Sequence, residues 1–192
     1  MDPSDSKTSA DRKKSPSLDP EVAKAKAGDP QAFDRIVRPL LASLLALSCR
    51  LAPAGKGEEL LQESLIRAHR GLSQFRGESS FRGWLVSIVF RLAKDPRKFL
   101  GPKPIKAATL DGVPSHLGED PFLHVSAQET LRKVEQVMER LPLRLRTALH
   151  LRAVEGWTYE EIAQSMNTSK GSVRNAVLAA RRKLREKFGD PQ

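Results

Sequence analysis

The chain has 192 residues and a formal charge of +10, with 39% hydrophobic and 29% charged residues. That hydrophobic share excludes a wholly disordered chain, and no apolar run approaches the roughly 20 residues that cross a bilayer, so no membrane insertion is expected. A single cysteine, Cys49, excludes internal disulfides and cysteine metal clusters. The N-terminus carries no apolar signal core, which makes a cytoplasmic location the default. The positive balance suits a polyanionic partner, and it also serves plain solubility.

Residues 1–18 are rich in Ser, Asp, Lys and Pro without period and read as a disordered tail. Asp19-Pro20 and Asp29-Pro30 are helix start signals, an acid cap followed by proline at the first helical position. From Phe33 to Leu51 the apolar residues follow helical spacing, and Pro39 is expected to kink or split that run. A third helix is predicted from about Glu58 to Leu72, its acids at the start and Arg67 and Arg70 near the end, as the helix dipole favours. A polar loop over 73–80 follows. The next helix starts at a Ser79 or Ser80 cap and carries Phe81, Trp84, Leu85, Ile88, Val89 and Leu92 on one face until Pro96 ends it near Lys94.

From Arg97 to about Pro121, prolines and glycines break every periodic run. Residues 97–122 therefore read as a linker between a first domain, 19–96, and a second, 123–192. Helical spacing resumes from Val125 to Leu141, and Pro142 opens a further helix that runs to Gly156. Thr158 and Glu161 have the spacing of a capping box. Asn167-Thr168-Ser169 is a turn with Ser169 as a cap, and the last helix places Val173, Val177, Ala180, Leu184 and Phe188 on a buried side. No segment alternates as a strand does. The expected fold is all-α: two small helical domains joined by a flexible linker, the second containing a helix-turn-helix.

Three segments carry chemistry. A short capped helix, a tight turn and a helix with Lys170, Arg174, Arg181, Arg182, Lys183, Arg185 and Lys187 follow the helix-turn-helix plan. Ser172, Arg174 and Asn175 fall where base contacts are made, since arginine pairs twice with guanine and asparagine twice with adenine. Arg181, Arg182 and Arg185 lie further along, where phosphates or the domain's own surface are in reach. The bland alternative is a solvated basic helix. The second segment sets the loop aromatic Phe75 among Arg76, Arg82, Trp84, Arg91, Lys94, Arg97 and Lys98, a combination that can stack unpaired bases; Phe81 and Trp84 equally fit a core stripe. The third is Glu58, Glu59, Gln62 and Glu63, either a docking surface for a basic protein or acids favoured by a helix start. His69, His116, His124 and His150 are scattered without metal-ligand spacing, no glycine loop cradles a phosphate, and no cofactor is expected.

Taken in this order, the segments resemble a known family. Gly28-Asp29-Pro30-Gln31-Ala32-Phe33, the run EELLQESLIRAHRGLSQFRGESSFRGWL at 58–85 and the run LPLRLRTALHLRAVEGWTYEEIAQSMNTSKGSVRNAVLAARRKLRE at 141–186 are similar to the extracytoplasmic-function (group 4) sigma factors of bacterial RNA polymerase, in the sigma-70 family. The likeness covers about residues 19–95 and 123–188. It implies a non-enzymatic initiation factor whose partners are core RNA polymerase, promoter DNA and an anti-sigma factor. It also implies that Glu58, Glu59, Leu60, Gln62 and Glu63 bind core polymerase. The −10 element would be melted by Phe75, Arg76, Arg82, Trp84, Arg91, Lys94, Arg97 and Lys98. The −35 element would be read as duplex by Ser169, Lys170, Ser172, Arg174, Asn175, Arg181 and Arg182. The linker would thread toward the polymerase channels. The chain departs from the family pattern at Lys56, His69, Arg91, Pro96, Lys170, Ala176 and Ala179. Two other readings are a stand-alone helix-turn-helix regulator, binding tightly without polymerase as a dimer, and a decoy that binds an anti-sigma factor or polymerase but no DNA. The basic 170–187 face argues against the decoy.

Overall fold

The computed structural model describes residues 20–100 and 136–188. The tail at 1–18, the Asp19 cap, the linker beyond Leu100, the helix start near Val125, and His116 and His124 lie outside the described residues.

Helix starts follow local chemistry. Helix α1 spans Pro20–Lys26 and α2 spans Pro30–Val37. The Asp29 carboxylate accepts from the Gln31 N–H at 2.9 Å, and Pro30 follows it. Pro39 splits the next run as expected: one 3-10 turn, Arg38–Leu40, separates α2 from α3, Leu41–Leu51. Helix α4 spans Gly57–Gly71 and α5 spans Phe81–Ala93. Ser80 caps α5, its hydroxyl accepting from the Gly83 N–H at 3.0 Å.

The structure departs from the sequence reading after Pro96. Instead of entering a linker at Arg97, the chain forms a further short helix, α6, Arg97–Leu100. Its start is the same acid-proline pair seen at Asp29-Pro30, here Asp95-Pro96, with the Lys98 N–H donating to the Asp95 carbonyl at 3.0 Å. Phe99 is only 2% exposed, and α6 packs against α4.

In the second domain residues 136–140 belong to helix α7. They are followed by α8, Leu143–Ala153, α9, Tyr159–Ser165, and α10, Lys170–Phe188. All regular structure among the described residues is helical. Val173, Val177 and Ala180 are buried as predicted, Leu184 is half-buried, and Phe188 is 41% exposed. The last turn of α10 thus leaves the core that its spacing pointed to.

Helices α3, α4 and α5 pack as the body of the first domain, and α8, α9 and α10 as that of the second. The two bodies are not merely tethered. Helix α3 packs on α8 and α5 on α9, and one buried apolar cluster runs from Leu44, Leu47 and Leu85 to Leu151, Ile162 and Val177. Burial of this kind is the main favourable term in holding the helices together. Among the described residues no helix is long and apolar enough to cross a membrane.

Candidate nucleic-acid and partner interfaces

The turn before α10 is built by reciprocal caps. The Thr158 hydroxyl accepts from the Glu161 N–H at 3.2 Å, while the Thr158 N–H donates to the Glu161 carboxylate at 2.8 Å. The hydrogen bonds from the Thr158 backbone and hydroxyl hold the Glu161 carboxyl below the usual range. Asn167 takes a left-handed conformation, φ 49°, which asparagine tolerates better than most residues. Arg144 donates to the Thr168 hydroxyl at 2.6 Å and pins the turn to α8. The Ser169 hydroxyl accepts from the Ser172 N–H at 3.2 Å and starts α10.

Helix α10 turns Val173, Ala176, Val177 and Ala180 inward. Lys170, Arg174, Asn175, Arg181 and Arg182 are exposed on the outside, with Ser172 half-buried. The helix carries seven cations against one acid, Glu186. Lys170 is drawn toward Glu160, whose carboxyl the lysine holds below its ordinary range, and Arg182 lies 3.6 Å from Glu186. Two open turns therefore present guanidinium and amide groups to solvent, the arrangement that suits entry into a major groove.

On the first domain, the segment between α4 and α5 is tied down where Lys26 donates to the Phe75 carbonyl at 2.8 Å. The Phe75 ring is buried, 5.8 Å from Phe81 and 5.1 Å from Trp84 between centroids. It supports the segment from beneath and presents no open face for stacking. Half-buried Trp84 reaches a cleft of about 530 Å³ between the two domains, whose rim holds Arg76, Arg91 and Lys94 and whose far side is Gln164 to Asn167. Arg91 donates to the Ser87 carbonyl at 3.1 Å, and the Lys94 ammonium sits 4.5 Å over the Phe90 ring. Arg97 and Lys98 are exposed on α6, beside Asp95.

Arg82 points elsewhere. Its guanidinium donates to the Ser43 hydroxyl at 3.0 Å and pairs with Glu155 of the second domain, and it lies 5.2 Å from the Trp157 ring. Ser43, Glu155, Trp157 and Gln164 are contact residues that the sequence did not single out. They lie far from Arg82 in the chain, and no local spacing announces them.

Helix α4 opens with acids on its outer face. Glu58 is exposed, Glu59 accepts from Lys56 at 2.8 Å, and Glu63 accepts from Arg67 at 2.7 Å, with Gln62 half-buried between them. Leu60 is 0% exposed and does not belong to this face; it anchors α4 in the core. Among the described residues no group of His, Cys, Asp and Glu is gathered as metal ligands.

Residues 36–98 match the family model of Sigma-70 region 2, and residues 131–184 match that of Sigma-70, region 4. The chain is 31% identical over 175 residues to the ECF RNA polymerase sigma-E factor of Salmonella typhi, covering 86% of this chain and 91% of that one. It is 34% identical over 169 residues to the RNA polymerase sigma-H factor of Pseudomonas aeruginosa, covering 83% and 88%. Among solved structures, CnrH in complex with the cytosolic domain of CnrY has a TM-score of 0.62 at 21% identity, covering 88% of this chain and 94% of that one. The sigma factor RpoE in complex with the anti-sigma factor NepR from Bartonella quintana has a TM-score of 0.61 at 20% identity, covering 84% and 99%. The same all-helical, two-part fold therefore recurs in both. With region 2 in the first domain, region 4 in the second and close relatives of matching length, this chain belongs to the extracytoplasmic-function sigma factors of the sigma-70 family, which direct RNA polymerase to promoters.

Proposed function

We propose that the three surfaces divide the work of initiation. Glu58, Glu59, Gln62 and Glu63 at the positive end of α4 dock on a basic surface of core polymerase. The cleft at Arg76, Trp84, Arg91 and Lys94 takes the unpaired strand of the −10 element, and Arg97 and Lys98 follow its phosphates. The N-terminal turns of α10 enter the major groove of the −35 element with Lys170, Ser172, Arg174 and Asn175, while Arg181 and Arg182 touch phosphates. Ser169 contributes as the cap that aims this helix.

The observation that carries this reading is the pairing of two different cationic surfaces on two domains. One is the first-domain face that sets Trp84 among Arg76, Arg91 and Lys94, suited to a base outside the duplex. The other is a straight basic helix behind a capped turn, suited to duplex. Unstacking a base costs a few kcal/mol, which cleft contacts offset only if the base is captured. Two modest contacts become tight when polymerase fixes their separation and so raises their effective concentration. The chain is thus not an enzyme by itself and acts through polymerase. The fold likeness to the sigma factor RpoE solved with the anti-sigma factor NepR supports a protein inhibitor of the same class here.

Run-off transcription with core polymerase on fragments of the host genome tests the reading. The unaltered chain gives discrete transcripts. Glu59→Lys with Glu63→Lys abolishes them while leaving the circular dichroism unchanged. Transcription unaffected by the double change removes α4 from the docking surface.

A further inference from the structure

Helix α1 is tied to the loop that carries Arg76. The Lys26 ammonium, in the last turn of α1, donates to the Phe75 carbonyl at 2.8 Å, across 49 residues of chain, in a half-buried setting. A cation in a last turn ordinarily serves the carbonyls of its own helix. This one serves a carbonyl of the first domain's loop. There the backbone leaves the 3-10 turn Leu72–Gln74 and becomes extended, φ −67° and ψ 115° at Phe75. The Phe75 N–H still donates to the Leu72 carbonyl at 3.0 Å, whereas its own carbonyl takes the ammonium.

The Phe75 carbonyl and the Arg76 N–H belong to one rigid peptide plane. Fixing that carbonyl fixes the direction in which the chain enters Arg76, whose side chain is 82% exposed. Ser80 closes the loop at its other end, its hydroxyl accepting from the Gly83 N–H at 3.0 Å. Between the two anchors stand only Arg76 to Ser79, bent at Gly77, φ 72°. The Phe75 ring is held by Phe81 and Trp84, but seating a ring leaves rotation about ψ open. The ammonium removes that freedom with a charge-assisted bond. Its own base is firm: Ala25 and Leu72 share a small buried cluster on which Phe81 and Trp84 pack, and Lys26 follows Ala25 in the chain.

We propose that Lys26 is a positioning residue for promoter opening, its ammonium setting the Phe75–Arg76 peptide so that Arg76 stands ready for the unpaired −10 strand. Helix α1 is then part of the opening apparatus, although it lies ahead of the residues that match region 2. The proposal rests on the reading of Arg76 as a strand contact. Lys26 acts through Arg76 and touches no DNA itself.

The test uses the full chain with core polymerase on a promoter fragment that yields a run-off transcript. Permanganate oxidation of unpaired thymines reads opening. Affinity for the same fragment truncated upstream of the −10 element reads duplex binding. Lys26→Met removes the donor and keeps an apolar stem. It is expected to lower the opening constant about tenfold, with duplex affinity unchanged and helical circular dichroism intact. Lys26→Arg keeps a charged donor and restores most of the opening. Lys24→Met removes the same charge from exposed α1 and leaves opening as it was. Arg76→Ala also lowers opening, and adding Lys26→Met to it costs nothing further, because residues that act through one contact are not additive. Opening unchanged in Lys26→Met but lost in Arg76→Ala overturns the proposal and leaves the strand reading standing. Losses that multiply in the double variant, or duplex affinity that falls along with opening, also overturn it. Opening unchanged in both single variants overturns the strand reading of Arg76, and the proposal with it.

Discussion

Gly57 opens α4 directly against Cys49 of α3. A Cβ at Gly57 would stand 2.4 Å from the Cys49 sulfur, 2.6 Å from its Cα and 2.8 Å from its backbone nitrogen. Two of those three atoms are backbone, so a side chain there must move a helix. Alanine normally gains up to about 1 kcal/mol over glycine inside a helix. At this crossing the steric term wins. Gly57→Ala is expected to destabilise the chain by about 1–3 kcal/mol, read from urea unfolding. Because Glu58 and Glu59 follow at once, polymerase affinity is expected to fall as well.

Thr158 and Glu161 hold the first turn of α9, the helix on which the turn before α10 is built. Thr158→Ala leaves the Glu161 N–H without its acceptor. Loss of such a cap costs about 0.5–2 kcal/mol. The expected outcome is a lower unfolding midpoint together with weaker duplex binding. Thr158→Ser keeps the acceptor and restores most of both.

What was legible in the sequence was local. Asp29-Pro30, the break at Pro39, the Ser80 cap and the Thr158–Glu161 box each act within a few residues, and each stands in the fold where its chemistry put it. Asp95-Pro96 carries the same start signal, but its proline equally marks the end of α5. The four-residue helix after it is too short to show a period, although its Phe99 is deeply buried. Leu60 sits in an acidic run and was grouped with it, whereas the 3.6-residue turn carries it to the opposite face of α4. The close packing of Gly57 on Cys49 leaves no local mark in the sequence, because a helix crossing joins residues through space and not through spacing. Arg82 looked like one more cation near the cleft. Its partner lies 73 residues away, and nothing short of the packed fold pairs the two.

His150 is buried in α8, 4% exposed, with its Nε2 3.6 Å from Glu155, too far for a hydrogen bond. Burial pushes its imidazole below the ordinary value of 6.5; Glu155 opposes that shift, and Arg50 on the facing helix α3 reinforces it. The unfolded chain takes up a proton on this ring near pH 6.5, the folded chain only at lower pH. Between those points the unfolded state binds more protons, so stability falls as the pH is lowered through the window. Unfolding midpoints at pH 7.5 and pH 5.5 are expected to show this slope, and His150→Leu to flatten it.

Arg174 and Arg181 lie on the same outer face of α10, two turns apart, and the distance sorts their roles. Arg174 is one turn from the capped N-terminus, within reach of base edges if the helix enters the groove end-on. Arg174→Ala in the polymerase-bound factor is expected to cost about 1–3 kcal/mol at the preferred −35 sequence and little at others, narrowing the gap between them. Arg181→Ala is expected to weaken all duplexes alike and to lower the salt slope of binding by about one. Equilibrium binding on a set of −35 variants at several salt concentrations separates the two patterns. If Arg174→Ala weakens every duplex equally and also reduces the salt slope, it contacts phosphate, and base reading by α10 passes to Ser172 and Asn175.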